Sequence, residues 1–393
     1  MATKPPTNRS IFEEVGTAPV AGQAPSAGVI SGAGTGARRG IRVWLAVLFL
    51  LVATMIAVGG MTRLTDSGLS ITEWRPITGA IPPLNAADWQ EEFTKYQAIP
   101  EFQLQNSQMT LDEFKTIFWW EWGHRQFGRV IGLVWALGFV GFLAARQIPR
   151  GWTGRLLALG ALGGLQGAIG WWMVSSGLTG DMVDVKSYRL ATHLGLAFII
   201  LGLIAHYIFE LSRSEVDLIA ARRAGEGKLA RMSKGLMHFA FLQILLGALV
   251  AGIDAGRAFP TWPDMNGQFF PADAFYVVDS AGNPLPIWHA FFENPGLVQF
   301  MHRMSGYLLA AFAVVVWLRA RKSAYGATRR AFHAVLILLF VQILIGIYTA
   351  LTAAQVHVAI THQVTAVILW VAIIRARHLA GAPVAGSLRE GSL

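Results

Sequence analysis

Eight apolar runs mark the chain, at about residues 41–62, 125–146, 154–176, 190–211, 235–254, 301–319, 331–353 and 361–376. Each approaches the roughly 20 residues that a helix needs to cross the hydrocarbon of a bilayer. The pattern predicts an all-α polytopic membrane protein of eight transmembrane helices. The polar positions between the runs are not evenly charged. Arg38, Arg39 and Arg42 precede the first run; Arg146, Arg150 and Arg155 join the second to the third; Arg213, Arg222, Arg223, Lys228, Arg231 and Lys234 join the fourth to the fifth. Arg319, Arg321, Lys322, Arg329 and Arg330 join the sixth to the seventh, and Arg375 and Arg377 follow the eighth. Basic residues in short connections stay on the cytoplasmic side. Both termini are therefore expected in the cytoplasm and the long connections 63–123 and 255–300 outside.

Laid against each other, residues 41–211 and 235–378 match weakly, as four helices repeated once. His124-Arg125 with Gly128 corresponds to His302-Arg303 with Gly306, and Thr192-His193 with Ala197 to Thr361-His362 with Ala366. The third and seventh helices share Gln-x-x-x-Gly, at Gln166/Gly170 and Gln342/Gly346, which reads as a packing feature. The expected organisation is a flexible cytoplasmic tail over 1–40, an N-terminal half over 41–211, a cytoplasmic linker over 212–234, a C-terminal half over 235–378 and a second cytoplasmic tail over 379–393. Residues 1–40 are rich in Gly, Ala, Pro and Ser and lack the apolar core and cleavage site of a signal peptide.

Composition narrows the chemistry. The chain of 393 residues is 54% hydrophobic, and its net charge of +9 is accounted for by the topology pattern, with no nucleic-acid partner implied. It has no cysteine, so disulfides, iron–sulfur clusters, thiolate zinc sites and thiol nucleophiles are excluded.

Imidazole inside a membrane is costly and is expected to face the bundle interior or a cavity. His124, His193, His302 and His362 all open helices at the outer side, two in each half. One turn further lie Gly128, Ala197, Gly306 and Ala366, on the same faces because positions i and i+4 coincide. Small residues there suit a flat macrocycle held by axial imidazoles, so the four histidines read as two bis-His haem sites. Arg125 and Arg303 fit either haem propionates or the outer interface. His206, His238, His333 and His378 read as interfacial anchors at cytoplasmic helix ends, and His289 and His357 fall in outer connections.

The halves differ three residues before the first histidine of each: Glu121 precedes His124 where Gln299 precedes His302. The Thr110-Leu-Asp-Glu113 capping-box pattern extends that helix outward, which places Glu121 beside its imidazole. A carboxylate can move a proton or stabilise a developing cation, which an amide cannot. Chemistry is thus expected in the first half, and electron transfer or structural support in the second. The alternative is a Glu121–Arg125 ion pair with no part in catalysis.

GGMTRLTDSGLSITEWRPITGAIPPL at 59–84, EWGHR at 121–125, ATHLG at 191–195, AGIDAGRAFPTWPDMNG at 251–267, MHRxSG at 301–306 and THQ at 361–363 together resemble the heme A synthase family over about residues 41–378. The absence of cysteine matches the class without paired loop thiols. The resemblance implies oxidation of a ring methyl of heme O to the formyl group of heme A, through hydroxylated intermediates, for cytochrome oxidase assembly. It further implies that His124 and His193 flank the substrate haem with Glu121 nearby, and that His302 and His362 ligate a haem b cofactor. Expected partners are a heme O donor enzyme, an external electron-transfer partner and the lipid bilayer of an energy-transducing inner membrane, with homo-oligomerisation left open. The rival reading is a di-haem b-type electron-transfer cytochrome. Four histidines on one side of the membrane argue against it.

Overall fold

The computed structural model describes residues 35–180, 182–279 and 281–384. Eight long helices follow the apolar runs: α1 (Thr35–Leu64), α2 (Leu111–Ala144), α3 (Thr153–Val174), α4 (Ser187–Leu211), α5 (Gly227–Gly252), α6 (Pro295–Ala320), α7 (Gly326–Leu351) and α8 (Val356–Gly381). Among the described residues there is no β-strand; two isolated bridges, Met265 with Gln268 and Val278 with Pro284, brace the connection between α5 and α6.

Several helices outrun their apolar stretches, because polar caps decide where a helix starts. Thr110 Oγ1 accepts from Glu113 N while Glu113 Oε2 accepts from Thr110 N at 2.8 Å, so α2 begins at Leu111 and not near 125. Its 34 residues run about 51 Å, well beyond the ~30 Å hydrocarbon layer. Asn294 Oδ1 accepts from Leu297 N at 2.9 Å, and Pro295 opens α6 six residues before the apolar run.

The tails and linker are corrected in part. Residues 35–40 belong to α1 and 379–381 to α8, while the flexible-tail reading of 1–34 and 385–393 lies outside the described residues. The stretch 212–234 holds a helix, Glu215–Arg223, capped by Ser214, and the opening turns of α5.

In the first half α1 packs on α2 and α4, and α3 packs on the same two; in the second, α5 packs on α6 and α8, and α7 on those two. The halves meet through α4 against α5 and α8, and through α1 against α8. Half of the most apolar window of α4 is buried in protein against 6% of that of α2, so α4 is central and α2 faces lipid. At the centre Trp370 donates to the Phe198 carbonyl oxygen at 2.9 Å, and Gly202 lets α4 approach that indole and Ile374 closely.

The connection from α1 to α2 forms a cap of its own. Helix Ala86–Gln97 and the short turn Pro100–Leu104 bury Phe93, Tyr96 and Ile99 against Phe114 and Phe118 on the outward extension of α2.

Candidate haem sites

Each of the four histidines lies on a different helix, His124 on α2, His193 on α4, His302 on α6 and His362 on α8, and each is packed against a glycine of a neighbouring helix. A Cβ on Gly170 (α3) would lie 2.9 Å from His193 Cε1, on Gly247 (α5) 3.0 Å from His302 Cε1, and on Gly346 (α7) 2.9 Å from His362 Cε1. A Cβ on Gly59 (α1) would lie 3.1 Å from His124 Nε2. Any side chain at these positions would push the imidazole aside.

Three of the glycines lie one turn after a glutamine, and the spacing puts amide and glycine on one helix face. Gln166 donates to the His193 carbonyl oxygen at 3.0 Å, and its Nε2 lies 3.2 Å from the ring Nδ1. Gln243 makes the same contacts to His302 at 2.9 and 3.1 Å, and Gln342 to His362 at 3.0 and 3.2 Å. The Gln-x-x-x-Gly pairs on α3 and α7 are therefore more than packing features, and a third pair on α5 completes the set. Among the described residues no glutamine holds His124 in this way. One turn before Gly59 stands Met55, whose Cε would lie 3.3 Å from a Cβ on Gly128; the matching contact of Gly306 is Gln243 Nε2, also at 3.3 Å. The space beside Gly128 and Gly306 is thus taken by the residue of the neighbouring helix that faces the histidine. Ala197 and Ala366 are half-buried.

Within each half the two imidazoles are electrostatic neighbours, His124 with His193 and His302 with His362. Among the described residues no three His, Asp or Glu side chains gather as a metal site. Two imidazoles do not complete the sphere of a bare ion, whereas haem needs only two axial ligands because its macrocycle supplies the rest. The donor set, with its glycine-backed rings, fits haem.

Glu121 is buried and engaged at both oxygens. Oε2 accepts from Ser70 Oγ and Ile71 N, each at 2.7 Å, and Oε1 accepts from Arg125 Nη2 at 2.6 Å and Nε at 3.1 Å. Arg125 also donates to the carbonyl oxygens of Ile71 at 2.7 Å and Glu73 at 2.9 Å, and its guanidinium lies over Trp171. The i, i+4 ion pair expected as the alternative does form, and it fastens the segment 70–73 onto α2 one turn before His124. In the second half Gln299, with its amide oriented to satisfy both ends, donates to the Ala255 carbonyl oxygen at 3.1 Å and accepts from Arg303 Nη2 at 3.0 Å. Arg303 donates to the Asp264 and Phe259 carbonyl oxygens at 2.8 and 3.0 Å. Both arginines therefore tie the connection that precedes their helix to that helix. Only the first does so around a negative charge.

A second polar group lies at the end of α1, where it meets the connections after α3 and α5. Arg63 at the end of α1 pairs with Asp66 at 2.8 Å, Asp254 at 3.0 Å and Asp184 at 3.6 Å. Near it Glu101 is 3% exposed, and its Oε2 has no hydrogen-bond partner. Burial, with the added repulsion of Asp184, Asp66 and Glu121, pushes its carboxyl up to about 8. No apolar pattern or motif in the sequence pointed to Glu101, because nothing local marks a single glutamate as buried.

At the opposite end His206 and His378 face each other across the halves at 5.8 Å, beside Glu210. His238 and His333 each bond the carbonyl oxygen one turn back on their own helices, His238 about three turns inside α5 and His333 about two turns inside α7.

Comparison with known proteins places the chain in a family. Residues 42–374 match the cytochrome oxidase assembly protein family, COX15-CtaA. The chain is 63% identical over 390 residues to a heme A synthase of Cereibacter sphaeroides, covering 98% of this chain and 99% of that one. It is 63% identical over 385 residues to a heme A synthase of a Ruegeria species, with the same coverage. To a heme A synthase of Paracoccus denitrificans it is 60% identical over 381 residues, covering 97% of this chain and 98% of the relative.

Proposed function

This chain belongs to the cytochrome oxidase assembly protein family, and from that premise we propose that it is a heme A synthase, an integral membrane oxidoreductase that converts a ring methyl of heme O to the formyl group of heme A. The observation that carries the reading is the buried Glu121 held one turn before His124, against the neutral Gln299 before His302. His124 and His193 would hold the substrate haem, and His302 and His362 a haem b cofactor. Bound haem iron supplies the oxidising chemistry. The protein's own residues place and polarise it. Gln166, Gln243 and Gln342 hold the backbone carbonyl oxygens of His193, His302 and His362, which fixes the point from which each imidazole projects.

With four donors on its two oxygens, Glu121 is a fixed negative charge more than a mobile proton carrier. Such a charge stabilises positive charge that develops beside it, without reorganising at the moment of reaction. Arg125 holds both the carboxylate and the 70–73 segment that covers it, and we assign it that task in place of a propionate contact. We read both termini as cytoplasmic and the four histidines as lying toward the outer side of the membrane, a reading supported by the arrangement of basic residues in the short connections. A heme O donor enzyme and an external electron-transfer partner follow from the reaction.

The test is pigment extraction from the purified wild type and a Glu121→Ala variant produced in cells that make heme O. The wild type should yield heme A and the variant only its precursors. A wild type carrying haem b alone, with no heme O or heme A chemistry dependent on Glu121, overturns the proposal.

A further inference from the structure

The end of α4 away from His193 carries a second charged cluster. Glu210 lies roughly 25 Å further along that helix, is buried, and is clasped at both oxygens: Arg155 Nη1 of α3 donates to Oε2 at 2.8 Å, and Arg222 Nη2 donates to Oε1. Arg38 of α1 donates to the Arg213 carbonyl oxygen at 2.8 Å and lies 3.9 Å from Glu215. These groups wall a cavity of about 220 Å³, together with Arg150 in the turn between α2 and α3. Four guanidinium groups therefore meet two carboxylates, Glu210 and Glu215. The cavity wall carries more positive charge than its own carboxylates neutralise. Among the described residues Arg150 has no hydrogen bond or ion pair, and Arg155 and Arg222 each engage Glu210 through a single nitrogen while their side chains stay 46% and 56% exposed.

The edge of the cavity is apolar. Helix Glu215–Arg223 buries Leu218 and Ala221 and leaves Val216 and Ile219, one turn apart, exposed. Ile219 also lines the cavity. Exposed apolar side chains beside arginines, where helices leave the hydrocarbon, suit the boundary between headgroups and acyl chains. A soluble anion would make no use of them. We infer that this cavity binds the headgroup of one anionic phospholipid, its phosphate between Arg150, Arg155 and Arg222 and its acyl chains beside Val216 and Ile219. Guanidinium forks bind phosphate oxygens in pairs, and basic pockets between membrane helices take anionic headgroups. A water occupies ~30 Å³ of liquid, so the space admits a phosphodiester with part of its glycerol. Bound there, the lipid ties α3 and the turn before it to the helix after α4, adding to the clasp around Glu210.

The test uses delipidated full-length protein in detergent, titrated with phosphatidylglycerol, with phosphatidylcholine of the same acyl chains, or with glycerol 3-phosphate, and bound molecules are counted by native mass spectrometry. One phosphatidylglycerol should bind about tenfold or more tightly than phosphatidylcholine. Arg150→Gln, which breaks no pair among the described residues, should weaken it about fivefold, and Arg150→Gln combined with Arg222→Gln about 25-fold. Arg321→Gln, at an exposed arginine after α6 outside the cavity, should leave it unchanged. Circular dichroism confirms that each variant keeps its helices. Equal binding of the two lipids overturns the inference, as does equal weakening by Arg321→Gln and Arg150→Gln, which would mean attraction to net charge alone. Glycerol 3-phosphate that binds as tightly as phosphatidylglycerol overturns the lipid assignment in favour of a soluble phosphate.

Discussion

The two halves of this protein are built alike and equipped differently. In each, four helices surround a pair of imidazoles, and an arginine following the first histidine ties down an outer connection. Around Arg303 the partners are an amide and backbone carbonyls; around Arg125 they include the buried carboxylate of Glu121. Beside His302 stands Gln243, and beside His124 stands Met55. In the second half an amide meets the arginine and glutamines hold both histidine carbonyls; in the first a carboxylate meets the arginine and only His193 is so held. Helix packing depends on many positions at once, whereas the charge before each first histidine depends on a single side chain, so the two halves share a packing pattern while differing at Glu121 and Gln299.

The comparison can be broken most severely at the ligands. His302→Ala should remove haem b from the second half while leaving the first-half site assembled, measured as pyridine haemochrome content per protein; equal loss from both halves would end the division between them. Next in size is Glu121→Gln, which makes the first half resemble the second. It should reduce heme A formation by about 10²-fold or more, scored by chromatography of extracted haems, with haem content nearly unchanged. The converse substitution, Gln299→Glu, should leave activity within a few-fold, because the carboxylate would meet Arg303 without a reacting group nearby.

A smaller effect sharpens the contrast between the outer connections. Glu101 is buried, its Oε2 has no hydrogen-bond partner among the described residues, and Asp184, Asp66 and Glu121 repel its charge while Arg63 opposes them. Its carboxyl is raised to about 8, so the folded protein holds a proton that the unfolded chain releases near the ordinary carboxylate range. That contribution is complete below the unfolded pKa and is lost as pH rises through about 8. Thermal unfolding in detergent should show the wild type losing stability between pH 6 and pH 9 more steeply than Glu101→Gln. Parallel profiles would mean that the carboxyl is solvated. Smallest of all, Gln363→Leu should cost about 0.5–1.5 kcal/mol through the lost bond to Ile56, seen as a modest drop in the unfolding midpoint.

Much of the fold is legible in the residue order. The eight spans, the four histidines and the Glu121/Gln299 difference follow from local runs, fixed offsets and the comparison of one half with the other. The capping box at Thr110 even foretold that α2 begins far outside its apolar run. Other features were visible only as fragments. Gln-x-x-x-Gly on α3 and α7 reads from sequence as packing, and the same spacing on α5 has no mark of its own, because nothing in a single helix says which neighbour its glutamine will meet.

The sequence by itself determined the membrane class, the number of helices, the candidate haem ligands and the one carboxylate that distinguishes the halves, since apolar length and helical periodicity are local properties. Only the tertiary structure decided that Glu121 is pinned by Ser70, Ile71 and Arg125, that three histidines are held by amides from adjoining helices, and that Met55 stands in the fourth place. Each of those is a meeting of residues on different elements. Hydrogen bonds and ring contacts depend on distances of a few tenths of an ångström, which are set when helices pack and not by the order of residues along any one of them.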